Sequence, residues 1–260
     1  MLKKKEQEKF LHKRGDNMMR HLREFKKLQD PESLHQLRVE VKKLKGFFAL
    51  AGHCTAKQKL TAEAKQVFKQ AGVIRTAQLN LEFIEQYHLQ SRQFKSEQES
   101  VVLIQSREFS SAATAYRKSI QKNINGIAKK IKPIHEKCIV AWYKKNIATL
   151  KQVFEKFDTS ELHEGRKTIK NLLHVYPMLD KSITASLKLN IGYLEQLQEA
   201  VGKWHDVEVS YTMLIDAKLR NKKLLETFKK EIAKTLATIK PVAANFSSRI
   251  KVRAARIPKK

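Results

Sequence analysis

Two segments of this chain repeat one pattern of basic residues about 128 positions apart. In each segment a His is followed three residues later by Arg and seven residues later by Lys. Offsets of three and seven place side chains on one face of an α-helix. Both segments are therefore predicted to be helices that collect cations along one stripe. The two triplets are His35, Arg38 and Lys42, and His163, Arg166 and Lys170.

The stripes are the first candidate for a binding surface. Like charges at helical spacing repel each other, so each stripe costs stability unless an anion lies against it. Arginine can chelate phosphate oxygens with its planar fork, and lysine supplies a flexible point charge. Three further lysines of the same helices join the candidate site: Lys43, Lys45 and Lys167.

The rest of the chain is also predicted to be helical. Only 8 Gly and 5 Pro occur in 260 residues, so few positions break a helix. Apolar residues recur at intervals of three and four, as in the series from Leu34 to Phe48, and no convincing alternating strand pattern is present. The predicted helices span roughly residues 4–28, 32–51, 56–90, 95–125, 133–156, 160–176, 180–220 and 222–253.

Both basic helices have a recognisable start. Asp30 precedes Pro31, a residue favoured in the first turn, and acidic side chains follow where they face the positive end of the helix dipole. Asp158 has the same place before the second basic helix. We expect each helix to begin at its Asp.

The charge of the chain is large and evenly spread. The formal net charge is +27, from 53 Lys and Arg against 26 Asp and Glu. Residues 1–130 hold 27 of the 53 basic residues, so the charge belongs to a folded body rather than to one basic tail. Such a surface favours polyanionic partners.

Cysteines and apolar runs are sparse. Cys54 and Cys138 are too few for a disulfide scaffold or a cysteine zinc site, and we expect two unpaired thiols. The N-terminal residues do not resemble a signal peptide, and no apolar run approaches the ~20 residues of a membrane span. We expect a soluble, cytoplasmic protein with no membrane partner.

The repeat extends beyond the basic helices. Gly72 follows the first one and Gly202 the second, 130 positions apart. The spacing predicts an internal duplication within a single domain, 1–260, with halves of approximately 1–130 and 131–260 and about four helices in each. The two glycines are expected to allow close helix packing or a kink.

With these motifs the chain resembles the CHAD family, helical domains named for their histidines. The first basic helix of the family runs approximately His-x-x-Arg-Val-x-x-Arg-Arg-x-Arg. The first match consists of His35, Arg38, Val39, Lys42, Lys43 and Lys45, with Lys in place of the later arginines. The second match consists of His163, Arg166, Lys167 and Lys170, and is weaker because Leu173 and His174 replace an arginine and a tyrosine.

A second family segment resembles Gly-x-x-Arg-Asp-x-x-Val. In the first half Gly72 and Arg75 fit it, but Thr76 stands where Asp is expected. In the second half Asp206 and Val209 fit, and His205 replaces the basic residue. The match adds Arg75 to the candidate site and leaves the roles of Thr76 and His205 open.

The resemblance implies two four-helix bundles related by a pseudo-two-fold, with a central basic groove or pore, and binding of inorganic polyphosphate. The candidate polyphosphate-binding residues are His35, Arg38, Lys42, Lys43, Lys45, Arg75, His163, Arg166, Lys167 and Lys170.

Two other functions remain open at this point. A non-specific nucleic-acid binder would also be basic, although only 8% of residues are aromatic and could stack on bases. A hydrolase needs a phosphate-binding loop or a metal site, and His135-Glu136 lacks the second His of a zinc helix. We expect a binding protein that is not an enzyme and has no cofactor and no metal. Polymer length preference, oligomeric state and association with polyphosphate granules stay open.

Overall fold

The computed structural model of the protein describes residues 1–219 and 221–251. Within them the chain forms α-helices, one 3₁₀ turn at Tyr176–Met178 and two isolated β-bridges, with no β-strand. The all-α prediction is confirmed. The helices are α1 Lys4–Leu28, α2 Pro31–Cys54, α3 Ala62–Gln86, α4 Arg92–Lys130, α5 Glu136–Lys156, α6 Thr159–Val175, α7 Lys181–Leu187, α8 Ile191–Asp216, α9 Lys222–Ala243 and α10 Phe246–Arg249.

The chain divides into two compact units, Met1–Ile134 and a second that begins at His135. In the first unit α2 packs on α1 and α3, and α4 packs on the same two helices, which closes a four-helix arrangement. In the second unit α6 packs on α5 and α8, α9 packs on α8, and the short helices α7 and α10 pack on α5. An internal duplication with a pseudo-two-fold stays a prediction.

Both basic helices begin where the sequence indicates. The Asp30 carboxylate accepts hydrogen bonds from the N–H groups of Glu32 and Ser33, and Pro31 opens α2. The Asp158 carboxylate accepts from the N–H of Ser160 at the start of α6. These contacts satisfy backbone donors that the first turn leaves unpaired, which fixes the register of each cationic stripe.

The apolar faces of the basic helices form the core. On α2, Leu34, Leu37, Val41 and Leu44 are fully buried. On α6, Leu162, Ile169 and Leu172 are equally buried. Burial of each such side chain stabilises the fold by about 1.5–3 kcal/mol, so the helices are held by these residues and their other faces are left for the cations.

The predicted helix 180–220 is wrong as one element. The structure breaks it between α7 and α8, where Lys188 adopts a left-handed conformation with φ 50°. The Asn190 side chain then caps α8 by accepting from the N–H of Tyr193, and the Asn190 N–H donates to the Ile250 carbonyl. Local capping and one contact distant in sequence end the first helix, and neither is visible in the periodicity.

Two further predicted helices differ at their ends. The predicted helix 56–90 begins later, because the Thr61 side chain caps α3 at Ala64. The predicted helix 222–253 ends early as α9, and Asn245 at φ 58° separates it from α10. Positions 220, 252 and 253 of the predicted helices lie outside the described residues.

Neither Cys54 nor Cys138 is a free thiol, so the expectation of two unpaired thiols is wrong. Among the residues that the structure describes, no helix combines the length and the apolar character that crossing a membrane requires.

Candidate functional site

Phe68 organises the cations of the first unit. The Arg38 Nη1 atom donates a hydrogen bond to the Phe68 carbonyl at 3.0 Å, and the guanidinium carbon lies 4.4 Å from the centroid of the Phe68 ring. The Lys45 Nζ atom lies 4.1 Å from the same centroid. Cations at these distances are attracted to the negative face of the ring. One residue of α3 therefore holds two charged side chains of α2 in place.

Gly72 makes room for Arg38. A Cβ atom at this position would collide with Arg38 Nη1, so the guanidinium can lie across α3 only because residue 72 has no side chain. Arg38, Gly72 and Thr76, together with Lys69, help to line an open cleft of about 430 Å³. Gly72 therefore positions a cation at the edge of a cleft, which is a more specific role than helix packing.

The two cations that lie against Phe68 differ in exposure, because Arg38 is half-buried and Lys45 is exposed. Burial lowers the pKa of Arg38. The pKa of Lys45 is lowered first by burial and then by the positive charges of Arg38 and Lys65. The ion pairs of the described residues give Arg38 and Lys45 no carboxylate partner within 4.0 Å. A half-buried cation such as Arg38 is costly without an anion, and an incoming anion would offset that cost.

Two predicted residues of the first unit have acidic partners. Lys43 pairs with Glu40 at 2.8 Å, and this buried carboxylate also pairs with Arg14 at 2.8 Å. Arg75 pairs with Glu82 at 2.9 Å. Lys43 and Arg75 are therefore partly neutralised within their own unit. Lys43 also compensates the charge of a carboxylate that is only 3% exposed.

His35 and Lys42 complete the triplet on α2. His35 is exposed and Lys42 is half-buried. Both lie on the face that carries Arg38, one turn before it and one turn after it. Their place on the stripe follows the predicted register, and a role in binding stays a prediction.

Sequence reasoning missed two cations on α3. Lys69 helps to line the cleft, and Lys65 is close enough to Lys45 to lower its pKa. Lys65, Lys69 and Gly72 are separated by four and three residues, which places them on one helix face. That spacing was present in the sequence beside Gly72 and would have extended the site from α2 to α3.

In the second unit Arg166 occupies the place of Arg38 in the repeat, with different neighbours. Its Nη2 atom lies 3.9 Å from an Asp206 oxygen on α8. Its buried Nε atom has no hydrogen-bond partner among the described residues. Burial lowers the pKa of Arg166, and the Asp206 charge partly opposes that shift. Burial and the charge of Arg166 also lower the pKa of Lys170.

His163 lies in a cluster rather than on an open stripe. Its Nε2 atom is 2.7 Å from Glu208 Oε2. Its ring lies 4.7 Å from that of His205 at 87°, and 5.2 Å from the buried ring of Trp204. Burial is the main reason why the pKa of His205 falls to about 4, with the charges of Arg166 and others adding to it. His205 is therefore neutral at pH 7.

Two remaining residues of the second unit have modest roles in the geometry. Lys167 pairs with Glu164 at 2.6 Å, and both side chains are about two-thirds exposed; exposed pairs of this kind contribute little. A Cβ atom at Gly202 would meet no other atom of the described residues within 4 Å. Close helix packing therefore does not require a glycine at position 202, and a kink there stays a prediction.

Residues 10–214 match the model of the CHAD domain. The chain belongs to the CHAD domain family. A similar solved structure is the crystal structure of the CHAD domain from the plant Ricinus communis, with a TM-score of 0.55 and 17% identity, which covers 95% of this chain and 89% of that chain. No curated protein matches the chain significantly.

The CHAD assignment confirms the resemblance that the two basic helices carry. The matched range includes α2, α3 and α6 completely, and α8 as far as residue 214, so all ten candidate residues fall inside it. At 17% identity, the Ricinus communis domain supports the fold and not the ligand.

Proposed function

We propose that this CHAD domain binds inorganic polyphosphate by electrostatic capture on its two basic helices. The observation that carries the proposal is the arrangement of Arg38 and Lys45. Both lie against the Phe68 ring without a carboxylate partner among the described residues. Arg38 is half-buried and lines an open cleft, whereas Lys45 is exposed. The fold thus presents positive charge that it does not itself neutralise.

Polyphosphate suits such a surface for simple reasons. The polymer carries about one negative charge for each phosphate unit and has no bases to be read. From His35 to Lys45 the helix advances about 15 Å at 1.5 Å per residue, so successive cations can follow successive phosphates. Release of counterions from the polymer would drive association. The same reasoning applies to the half-buried Arg166 and Lys170 on α6.

The surroundings of Phe68 favour polyphosphate over nucleic acid. Base recognition in single strands uses exposed aromatic faces as stacking platforms. The aromatic ring nearest the stripe already has two cations within 4.4 Å of its centroid. A phosphate chain needs those cations and not the ring. We also propose that the domain is a binding protein without catalytic activity and that it acts in the cytoplasm. Its association with polyphosphate granules is left to experiment.

The test is a titration of labelled long-chain polyphosphate by fluorescence anisotropy, repeated at several salt concentrations. Affinity should fall steeply with salt, because released counterions supply the driving force. Changing Arg38, Lys42, Arg166 and Lys170 together to Gln should weaken binding at least about 100-fold, since charge-assisted hydrogen bonds are lost. A flat response to salt would overturn electrostatic capture.

A matched control removes four other positive charges. Lys26, Lys118, Lys144 and Lys145 are exposed, lie on α1, α4 and α5, and are distributed two to each unit. Their replacement by Gln changes the net charge by the same amount but should weaken binding less than about 5-fold. Equal losses in both variants would show that total charge, not the repeated helices, sets affinity. Duplex DNA competing as well as polyphosphate would favour the nucleic-acid function.

A further inference from the structure

Three side chains of the second unit place potential metal ligands close together. His205 and Glu208 are three residues apart on α8 and therefore share a face. His163 reaches them from α6, which packs on α8. One ligand atom from each of the three residues lies within 4.8 Å of the other two. All three residues are half-buried, so they are shielded from bulk water without being sealed from it.

Two buried polar atoms of this cluster lack a hydrogen-bond partner among the described residues. His163 Nε2 and Glu208 Oε2 are 2.7 Å apart, yet this buried Oε2 atom accepts no hydrogen bond of acceptable geometry among the described residues. The buried Nδ1 atom of His205 also has no hydrogen-bond partner there. Buried polar atoms are normally satisfied. One ring nitrogen of each His and one Glu208 oxygen lie within 4.8 Å of one another, so a cation among them would have a donor atom of each residue within reach.

We propose that His163, His205 and Glu208 bind one divalent transition-metal ion of the Zn²⁺ class. Two imidazole nitrogens and one carboxylate oxygen form a donor set typical of zinc, whereas Mg²⁺ and Ca²⁺ prefer oxygen ligands throughout. Three protein ligands leave a coordination position for water or for an oxyanion. The site revises the sequence-based expectation that the chain has no metal.

The cluster must contract slightly to hold an ion. Ligand atoms at about 2.0–2.2 Å from a tetrahedral ion stand about 3.3–3.6 Å apart. The ligand atoms of the cluster lie within 4.8 Å of one another, so their separations must close by at most about 1.5 Å. Rotations of His205 and Glu208 on one helix face supply movements of this size. Arg166 and Lys170 oppose a cation here, while the carboxylates of Glu208 and Asp206 attract one.

The first unit provides an internal comparison. The positions equivalent to His163, His205 and Glu208, taken from the two repeat spacings, are His35, Arg75 and Gln78. A guanidinium and an amide cannot replace an imidazole and a carboxylate as ligands. The proposal therefore assigns one metal site to the chain, in the second unit. It does not depend on polyphosphate binding.

The test is a calorimetric titration of the chelator-treated full chain with ZnCl₂, with no polyphosphate in the cell. We expect one equivalent of Zn²⁺ to bind with micromolar or tighter affinity. Co²⁺ should give visible absorption bands typical of a low coordination number. Glu208→Gln keeps the size of the side chain, and His205→Arg introduces the residue of the first unit. Each should weaken Zn²⁺ binding at least about 30-fold, since one of three ligands is lost.

Matched controls are His35→Gln, the equivalent His of the first unit, and His88→Gln, an exposed His on the same unit. Both should bind Zn²⁺ like the parent. Equal binding by all four variants, or no binding by the parent, would overturn the proposal. Far-UV circular dichroism checks folding, and Glu208→Gln retains the test if His205→Arg does not fold. A negative result would leave the polyphosphate proposal untouched, because no polyphosphate is present.

Discussion

The basic helices of the two units carry the same triplet but surround it differently. In the first unit Arg38 lies over Gly72, donates to a backbone carbonyl and stacks on Phe68. In the second unit Arg166 lies beside the carboxylate of Asp206. The first unit holds its key arginine with uncharged groups, whereas the second places a carboxylate beside it. Of the two arginines, Arg38 is the one whose charge is not offset by a carboxylate within 4.0 Å among the described residues.

The difference arises at two positions after the glycine. Arg75 and Thr76 in the first unit correspond to His205 and Asp206 in the second. Thr76 adds no charge beside Arg38, and Arg75 is engaged by Glu82. Asp206 adds a charge beside Arg166, and His205 joins His163 and Glu208. The shared cationic motif therefore has different neighbours in the two units.

The largest expected effect separates the two stripes. Changing Arg38 and Lys42 to Gln should weaken polyphosphate binding about 50-fold, because this pair includes Arg38, which has no carboxylate within 4.0 Å among the described residues. Changing Arg166 and Lys170 to Gln should weaken it only about 5-fold, since Asp206 already offsets part of that charge. Both double variants remove two charges and are titrated against polyphosphate in the same buffer. Equal losses would mean that the neighbours of the two arginines do not matter.

The next effect concerns the position of the Arg38 guanidinium over Gly72. Gly72→Ala places a methyl group where the Arg38 guanidinium lies, so the flexible end of the arginine must shift and its contacts with Phe68 and the cleft are weakened. We expect about a 10-fold loss of polyphosphate affinity, while the net charge is unchanged. Anisotropy titration measures the affinity, and circular dichroism confirms the fold. An unchanged affinity would show that Arg38 binds phosphate equally well from another position.

Much of the fold could be predicted from the sequence because the signals are local. The apolar series from Leu34 to Phe48 is buried as predicted, and both helices begin at the expected Asp. The predicted helix 180–220 was wrong because its interruption depends on the Asn190 contact with Ile250. Periodicity reports one helix at a time, so it does not reveal a contact between residues 60 positions apart.

The sequence predicted which residues of the basic helices share a face. It did not predict which acidic side chains pair with them. Helical spacing correctly placed Arg38 and Lys45 on a charged surface, but Glu40 and Glu82, which engage Lys43 and Arg75, come from positions that the pattern does not distinguish. The approach of Arg38 to Gly72 requires two helices to be placed against each other. His205 appeared as a departure from the family pattern, and only the packing of α6 on α8 brings it to His163.

A smaller effect comes from exchanging the residue after the basic position. Asp206→Asn removes the carboxylate near Arg166 and should raise polyphosphate affinity about 3-fold, since one negative charge less opposes the polymer. Thr76→Asp adds a carboxylate at the cleft that Arg38 lines and should lower affinity by a similar factor. Titrations at low salt, where surface charges are least screened, measure both. A change in the same direction for the two variants would contradict the comparison.

The smallest expected effect is on thermal stability, and it distinguishes Gly72 from Gly202. Both lie inside helices, where Gly is less favourable than Ala by about 0.5–1 kcal/mol because its backbone loses more freedom on folding. A Cβ at Gly202 meets nothing within 4 Å, so Gly202→Ala should realise that gain and raise the melting temperature by about 2 °C. Gly72→Ala should not, because the same gain is offset by the displaced Arg38 contacts. Thermal unfolding followed by circular dichroism compares them directly. Equal shifts in melting temperature for the two variants would show that Gly72 has no special role in positioning Arg38.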